Sequence, residues 1–325
     1  MTPDLLDRLE SRYPVCIIGA AVVDVIADAY TLPHRGSDVE LHQQDVAVGG
    51  CALNVAIALR RLNICATNAL PMGNGVWAGI IRQKLRQYDI HSVTETASGD
   101  NGWCLALVEP DGERTFLSVS GVENQWDDAM LQTIPQQPGG WFYLSGYQLT
   151  SASGEKLLRW FENPGAMQRL LIDFGPRLAE LDAGFFTRVM ALKPLVTVNR
   201  QEAEMLWYER LEQQDNFDVQ SLLRQWVSRY GSPLIVRLDS EGAGFNDGRQ
   251  QKWLAPLPAK VVDTIGAGDS HAGGLLAGLA AGWPLEDAIA LGNAVASFVV
   301  SHRGGDCSPD RESLRKYWQQ SLTPQ

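Results

Sequence analysis

A three-layer α/β/α sandwich, with a mostly parallel sheet covered by helices on both faces, is the architecture expected of this chain. Two features predict it. From Trp141 onward, apolar strand candidates at 141–145, 169–173, 195–198 and 233–238 alternate with segments of helical spacing at 154–163, 201–208 and 218–230. Strands alternating with helices imply a parallel sheet that binds ligands at the carboxyl ends of its strands. Asp173, Asn199 and Asp239 stand at such ends. The second feature breaks the alternation. Trp103–Glu109 and Arg114–Val119 flank Pro110-Asp111-Gly112, two strand-like runs around a tight turn, which reads as a hairpin. A small sheet standing off the main body is therefore expected.

The elements upstream follow the same logic. Val15–Gly19 is a continuous apolar run ending in glycine, as a buried strand requires. In Ala20–Val25 the only charge is Asp24, and a buried lone carboxylate is unfavourable without a partner. Asp24 is either an exposed turn acid or an acceptor for ligand hydroxyls at the strand's carboxyl end. A polar stretch, Pro33–Val48, leads to Gly49-Gly50 and then to Asn54 and Val55–Leu62, whose apolar spacing fits a buried helix. Two glycines before a helix let backbone approach a ligand closely. Gly73-Asn-Gly75-Val-Trp-Ala78 fits a loose dinucleotide-binding pattern. However, Pro71 breaks the preceding strand, and no acid follows at the expected place in a clear βαβ unit. A dehydrogenase is the weakest of the readings considered. No internal repeat, low-complexity segment or interdomain linker is evident.

Composition narrows the field. A chain of 325 residues, 45% hydrophobic, can bury one large core. Its net charge of -11, with no Lys/Arg run, argues against nucleic acid as a partner, since a phosphate backbone demands clustered positive charge. Cys16, Cys51, Cys65, Cys104 and Cys307 are scattered without C-x-x-C spacing, which suggests reduced, mostly buried thiols. The first ten residues lack the apolar region of a signal peptide. The weakly polar runs near 272–283 and 288–300 fall short of a membrane span. A soluble, cytoplasmic protein is expected.

The chemistry concentrates in Val262-Asp-Thr-Ile-Gly-Ala-Gly-Asp-Ser-His-Ala-Gly-Gly274. Gly266 and Gly268 free a turn, and Asp269 and Ser270 suit a helix start. Backbone N–H groups and the positive end of the helix dipole then form an anion site, usually for phosphate. A carboxylate repels an anion, so Asp269 belongs there if it takes a proton from a hydroxyl attacking phosphorus. The alternative is that Asp269 is only an N-cap and the glycines only a tight turn. No P-loop ending occurs anywhere in the chain.

Asp263-Thr-Ile-Gly-Ala-Gly-Asp269 resembles the C-terminal signature of the ribokinase (PfkB-type) family of sugar and nucleoside kinases. Gly49-Gly50-x-x-x-Asn54 resembles its N-terminal signature, and Asn199-x-x-Glu202 its Asn-x-x-Glu motif. The resemblance runs in order from Asp24 to Pro309. It implies a single ribokinase-like domain over 1–325, with lid strands at about 33–48 and 99–121 that often form a dimer interface. It implies an ATP-dependent kinase with Asp269 as base and Gly266, Ala267 and Gly268 as an anion hole. Asp24, Gly49, Gly50 and Asn54, with Asn101 and Trp103 from the lid, would hold the acceptor; for these last two, ordinary packing inside the lid is the alternative. Arg237, Asp239, Gly242, Thr264 and Asn293 would face the nucleotide. An Asn at a strand end and a Glu in the next first turn can hold waters around Mg²⁺, as the family's Asn199 and Glu202 positions do; the alternative for Glu202 is a helix-dipole acid. Asp263 and Ser308 mark a possible monovalent-cation (K⁺) site.

Departures fall in the loops. Gly75 and Ala78 replace the Asp and second Gly of Gly-x-Asp-x-x-Gly, and Gly175 replaces the Asn of Asp-x-Asn-x-Arg within Asp173–Arg177. Arg237 and Asp239 depart from Thr-x-Gly-x-x-Gly, where Gly242 agrees; Arg237 would reach a phosphate or pair with Asp239. A sugar is the expected acceptor. A ribosyl nucleoside, or a regulatory protein that binds ATP or sugar without turnover, is the alternative.

Overall fold

The computed structural model describes residues 3–111, 113–163 and 168–322; Gly112, in the expected hairpin turn, lies outside them. In chain order the strands are β1 (Val15–Ile18), β2 (Val22–Asp28), β3 (His42–Gly49), β4 (Thr67–Ala69), β5 (Trp103–Val108) and β6 (Arg114–Val119). They continue as β7 (Trp141–Ser145), β8 (Arg169–Asp173), β9 (Leu195–Val198), β10 (Leu234–Arg237), β11 (Ala243–Asn246) and β12 (Gln251–Leu254). The helices that bear on the site are α1 (Cys51–Arg61), α2 (Val76–Gln87), α3 (Arg200–Met205), α4 (Ala267–Ala280) and α5 (Leu285–Val300).

The main sheet has the order β12-β11-β10-β9-β8-β7-β1-β4. Pairing is parallel from β4 through β10, because a helical crossover separates successive strands. Only a short connection, residues 238–242 around the turn Asp239–Glu241, lies between β10 and β11, and β10, β11 and β12 are accordingly antiparallel. Alternate residues of each strand feed two cores. Ile17, Tyr143, Leu171, Leu195 and Ile235 face the layer of α1, α4 and α5. Ile18, Phe142, Leu144, Ile172, Val196 and Val236 face the opposite layer, with Leu157, Phe186 and Trp226. This period of two places helices on both faces, giving the three layers.

The glycine-rich run after Asp269 is what lets the first layer close. A Cβ at Gly274 would stand 2.9 Å from the Gly292 Cα of α5, and one at Gly273 2.4 Å from the Ala58 Cβ of α1. Larger side chains would hold the three helices apart.

The second sheet has the order β3-β2-β5-β6. β2 runs antiparallel to β3 and parallel to β5, and β5 pairs antiparallel with β6. Asp24 is thus not at the carboxyl end of a main-sheet strand. It lies within β2 of the small sheet, opposite Ala47 and Cys104. The turn after Gly19 carries the chain from one sheet to the other, a change of partner that one apolar run does not reveal. Of the stretch 33–48, only residues from His42 are strand, and the first five of β3 are exposed; a polar edge discourages pairing with other chains. All five cysteines are free, with Cys16 and Cys104 buried and Cys65 exposed. Among the described residues no helix is long and apolar enough to cross a membrane.

Candidate active site

Gly266 is the N-cap of α4 and adopts φ 72, ψ 4 without a side-chain cap. That left-handed conformation suits glycine, and here contact enforces it as well. A Cβ at Gly266 would lie 2.5 Å from the Gly305 Cα. Asp263 ties the two segments together, accepting from the Ile265 N–H at 3.0 Å and the Gly304 N–H at 3.0 Å. The tight turn spends the Ala267 N–H on the Thr264 carbonyl, 3.2 Å away. Ala267 therefore does not join the anion hole as expected. The N–H groups of Gly266, Gly268 and Asp269 have no acceptor among the described residues.

Asp269 stands at the third position of α4 and does not cap it. It is half-buried. Its Oδ2 accepts a 2.7 Å hydrogen bond from Asn54 Nδ2. Burial pushes its pKa up, Asp173's charge adds to the rise, and the Asn54 bond opposes it. Asn54, expected against the acceptor, thus orients the carboxylate, while its buried Oδ1 has no partner among the described residues.

Beside Asp269 lies a cavity of about 170 Å³, lined among others by Cys51, Tyr143, Tyr147, Gly266 and Gly268, with Asp173, Glu202 and Arg237 forming its charged floor. Asp173 and Arg237 end β8 and β10, and Glu202 stands in the first turn of α3, which follows β9 between them; the parallel topology gathers these ends. Arg237 Nη1 donates to Asp173 Oδ2 at 2.8 Å and to Thr197 Oγ1 at 3.0 Å. The expected alternative partner, Asp239, is exposed in the turn beyond, at φ 51.

Asn199 and Glu202 form a capping box at the start of α3: Asn199 Oδ1 accepts from the Glu202 N–H at 2.9 Å, and Glu202 Oε2 from the Asn199 N–H at 2.9 Å. Asn-x-x-Glu is itself a capping-box pattern, so the spacing carried a structural meaning beside the metal one. Glu202 is also buried at the cavity wall, and its pKa is pushed up to about 7, first by burial and then by Asp173. Asp173, Glu202 and Asp269 line this cavity with one guanidinium, but among the described residues no three acidic, His or Cys side chains gather closely enough to ligate a metal directly, so a hydrated cation such as Mg²⁺ would meet them through its waters.

The acceptor side is built from β2, β3 and α1. Gly50 has φ 108, and a Cβ there would stand 2.6 Å from the Ala20 carbonyl oxygen. A Cβ at Gly49 would lie 3.1 Å from Asp24 Oδ2. Asp24 is half-buried, its pKa raised by burial, and its carboxylate makes no hydrogen bond among the described residues. The small sheet thus presents a carboxylate with unmade bonds.

Other expected residues are occupied elsewhere. Asn101 is buried; its Oδ1 accepts from the Gly73 N–H at 2.9 Å and its Nδ2 donates to the Pro71 carbonyl at 2.8 Å. It ties loops together, and the acceptor role is withdrawn. Trp103 stacks on Trp77 of α2 at 5.3 Å, which is the packing alternative. Gly242, at φ 86, would meet the Leu254 oxygen at 2.1 Å with any side chain, and Asn293 donates to the same carbonyl at 3.0 Å. Both hold the end of β12, and neither lines the cavity. Thr264 is exposed. Ser308 bonds Ser270 at 3.0 Å inside the core.

The Gly73–Ala78 loop has its own logic. Asp100 accepts from the Trp77 and Ala78 N–H groups at 3.1 and 2.8 Å. A Cβ at Gly75 would fall 2.1 Å from that carboxylate. The acid missing at position 75 is therefore supplied in space by Asp100. Burial alone would raise its pKa, but the N–H donors outweigh it and hold the carboxyl below its ordinary value. The start of α2 is filled, so no pyrophosphate binds there in the manner of a dehydrogenase. Asp100→Ala should lower stability by about 1 kcal/mol, as loss of a helix cap does; an unchanged denaturation midpoint would show the cap to be idle.

Tyr143, Cys51 and Tyr147 were not singled out by sequence. Tyr143 was accessible in principle: in the 141–145 strand it alternates onto the α4 face near the carboxyl end, and its buried hydroxyl has no partner among the described residues.

Comparison with known proteins agrees with this geometry. A profile described as pfkB family carbohydrate kinase matches residues 14–311. Over 310 residues the chain is 55% identical to a protein named uncharacterized sugar kinase YegV from Escherichia coli (strain K12), covering 95% of each chain. The crystal structure of ribokinase from Thermotoga maritima superposes with a TM-score of 0.80 at 18% identity, covering 94% of this chain and 99% of that one. Fructokinase from Vibrio cholerae O395, solved with fructose, ADP and calcium ion, gives 0.77 at 20% identity, covering 95% of this chain and 100% of that one. With the matched profile spanning most of its length and a half-identical relative named a sugar kinase, the chain belongs to the pfkB family of carbohydrate kinases, phosphotransferases with an alcohol group as acceptor.

Proposed function

We propose that this protein transfers the γ-phosphoryl group of ATP to a hydroxyl of a sugar, with Asp269 as general base. One observation carries the reading: a half-buried carboxylate, oriented by Asn54, stands beside unpaired N–H groups at a helix start. A base and an anion site are thus within one turn of each other. Asp269 takes the acceptor's proton, and its raised pKa matches it better to that task than an ordinary carboxylate. The Gly266 and Gly268 N–H groups, fixed by the turn, stabilise charge that develops on the phosphoryl oxygens. Asp24 and the bare backbone at Gly49 and Gly50 orient the acceptor for in-line attack. When bound, ATP would supply the phosphoryl group and Mg²⁺ would neutralise its charge, with Asn199 and Glu202 the residues that would hold the metal's waters.

The small sheet covers the acceptor and excludes water. Its strand β6 exposes Phe116, Leu117 and Val119, at 59, 50 and 49%, which supports pairing of two copies through the lid. The reading places the protein in the cytoplasm, where ATP and reduced thiols coexist.

The test is ADP release from Mg-ATP across pentoses, hexoses and nucleosides, with Asp269→Asn as the blank. Release dependent on Asp269 with a monosaccharide supports the proposal. Release with a nucleoside alone moves the acceptor class, and silence across the panel, with ATP bound, favours a protein without turnover. Asp24→Ala should then raise the acceptor KM by roughly 10-fold or more, since hydrogen bonds to a charged group are worth about 1.5–3 kcal/mol. An unaltered KM would remove Asp24 from the acceptor site.

A further inference from the structure

The cavity beside Asp269 is lined by the carboxylates of Asp173, Glu202 and Asp269 and by one cation, Arg237. A phosphoryl group entering it meets a negative field, which N–H dipoles alone offset only in part. Arg237 is placed to supply the rest. Its side chain is 14% exposed, against 10% for its partner Asp173. The two bonds to Asp173 and Thr197 both use Nη1, so they fix one edge of the guanidinium. Nη2 has no acceptor among the described residues, and it lies 3.5 Å from where a Cβ of Gly268 would be. Arg237 and Gly268 line the same cavity, side by side at the start of α4. Tyr143, whose buried hydroxyl has no partner among the described residues, lines the same cavity. Such unmade donors converge where a ligand completes the hydrogen bonding.

We propose that Arg237 is a catalytic residue whose Nη2 edge donates to the oxygens of the phosphoryl group in transfer, with Asp173 and Thr197 holding it in place. This rests on the kinase reading above. The acceptor oxygen bonds to phosphorus as the bond to the nucleoside diphosphate breaks. The acceptor's proton goes to Asp269, and Arg237 keeps all of its own. A guanidinium already locked on one edge needs no reorganisation when charge develops, and its planar fork matches phosphoryl oxygens better than an ammonium.

Arg237→Met and Arg237→Lys test the proposal. Lysine keeps the charge beside Asp173, so it guards against a variant that fails to fold with a buried, half-made ion pair. Melting curves are taken with Mg-ADP alone and with Mg-ADP plus aluminium fluoride, a mimic of the phosphoryl group in flight. The wild type should gain a further shift with fluoride. Folded variants should keep the Mg-ADP shift, lose the fluoride increment and lose about 10²–10³-fold in kcat, as when an oxyanion donor is removed. A folded variant with the wild-type fluoride increment and kcat would overturn the proposal and leave Arg237 as the partner of Asp173 only. If the wild type shows neither Asp269-dependent ADP release nor a nucleotide shift, the kinase reading itself fails, and this assignment with it.

Discussion

Replacing Asp269 by asparagine is expected to lower turnover by about 10²–10⁴-fold while leaving nucleotide affinity nearly unchanged. The substitution keeps size and shape but removes the proton acceptor. Asn54 Nδ2, which donates to Asp269 Oδ2 at 2.7 Å, can still donate to the oxygen of the new amide. The turn that places Gly266 and Gly268 is held by Asp263 and Gly305, not by Asp269, so the anion hole should persist. A variant with wild-type kcat would end the base assignment.

The same group sets the pH profile. The base works ionised, so turnover falls as pH falls through the pKa of Asp269, which burial raises above its ordinary value. Removing the Asn54 donor withdraws a bond that favours the ionised form, so in Asn54→Ala the acid limb should move to higher pH. Two neighbours must be separated from it. Glu202 is pushed up to about 7, and a limb that vanishes in Glu202→Gln would belong to that residue instead. His271 is pushed down to about 3, first by burial and then by the charge of Arg237, and stays neutral through the working range.

Gly266→Ala should combine a loss of stability with a loss of turnover. At φ 72 an alanine is strained, and its Cβ would stand 2.5 Å from the Gly305 Cα. Backbone cannot swing aside as a long side chain can, so the turn itself must move. The expected loss is about 1–3 kcal/mol of stability. A displacement near 1 Å of the Gly268 and Asp269 N–H groups costs turnover by about 10²-fold. Gly139 supplies the control: its φ is 71, with nothing within 4 Å of an added Cβ. Gly139→Ala should show the conformational strain alone and leave kcat intact. Equal behaviour of the two variants would mean that contact with Gly305 does not position the anion hole.

Sequence determined the frame. Strand and helix periods are local properties, so the alternation after Trp141 located the parallel sheet and put Asp173 and Asn199 at its carboxyl ends. The turn at 263–269 was legible too, because glycine spacing and a helix start act within a few residues. Tertiary structure decided how these groups meet. Asn54 reaches Asp269 across 215 residues, and Arg237 finds Asp173 across 64. Asp24 moved to the small sheet because the chain changes partner strand after Gly19. Asp100 filled the place left by Gly75 from 25 residues away. Ala267 was lost from the anion hole to a hydrogen bond that depends on the turn closing against Gly305. Each of these depends on which surfaces pack together, and a residue's own neighbours in sequence carry no energy that distinguishes one distant partner from another.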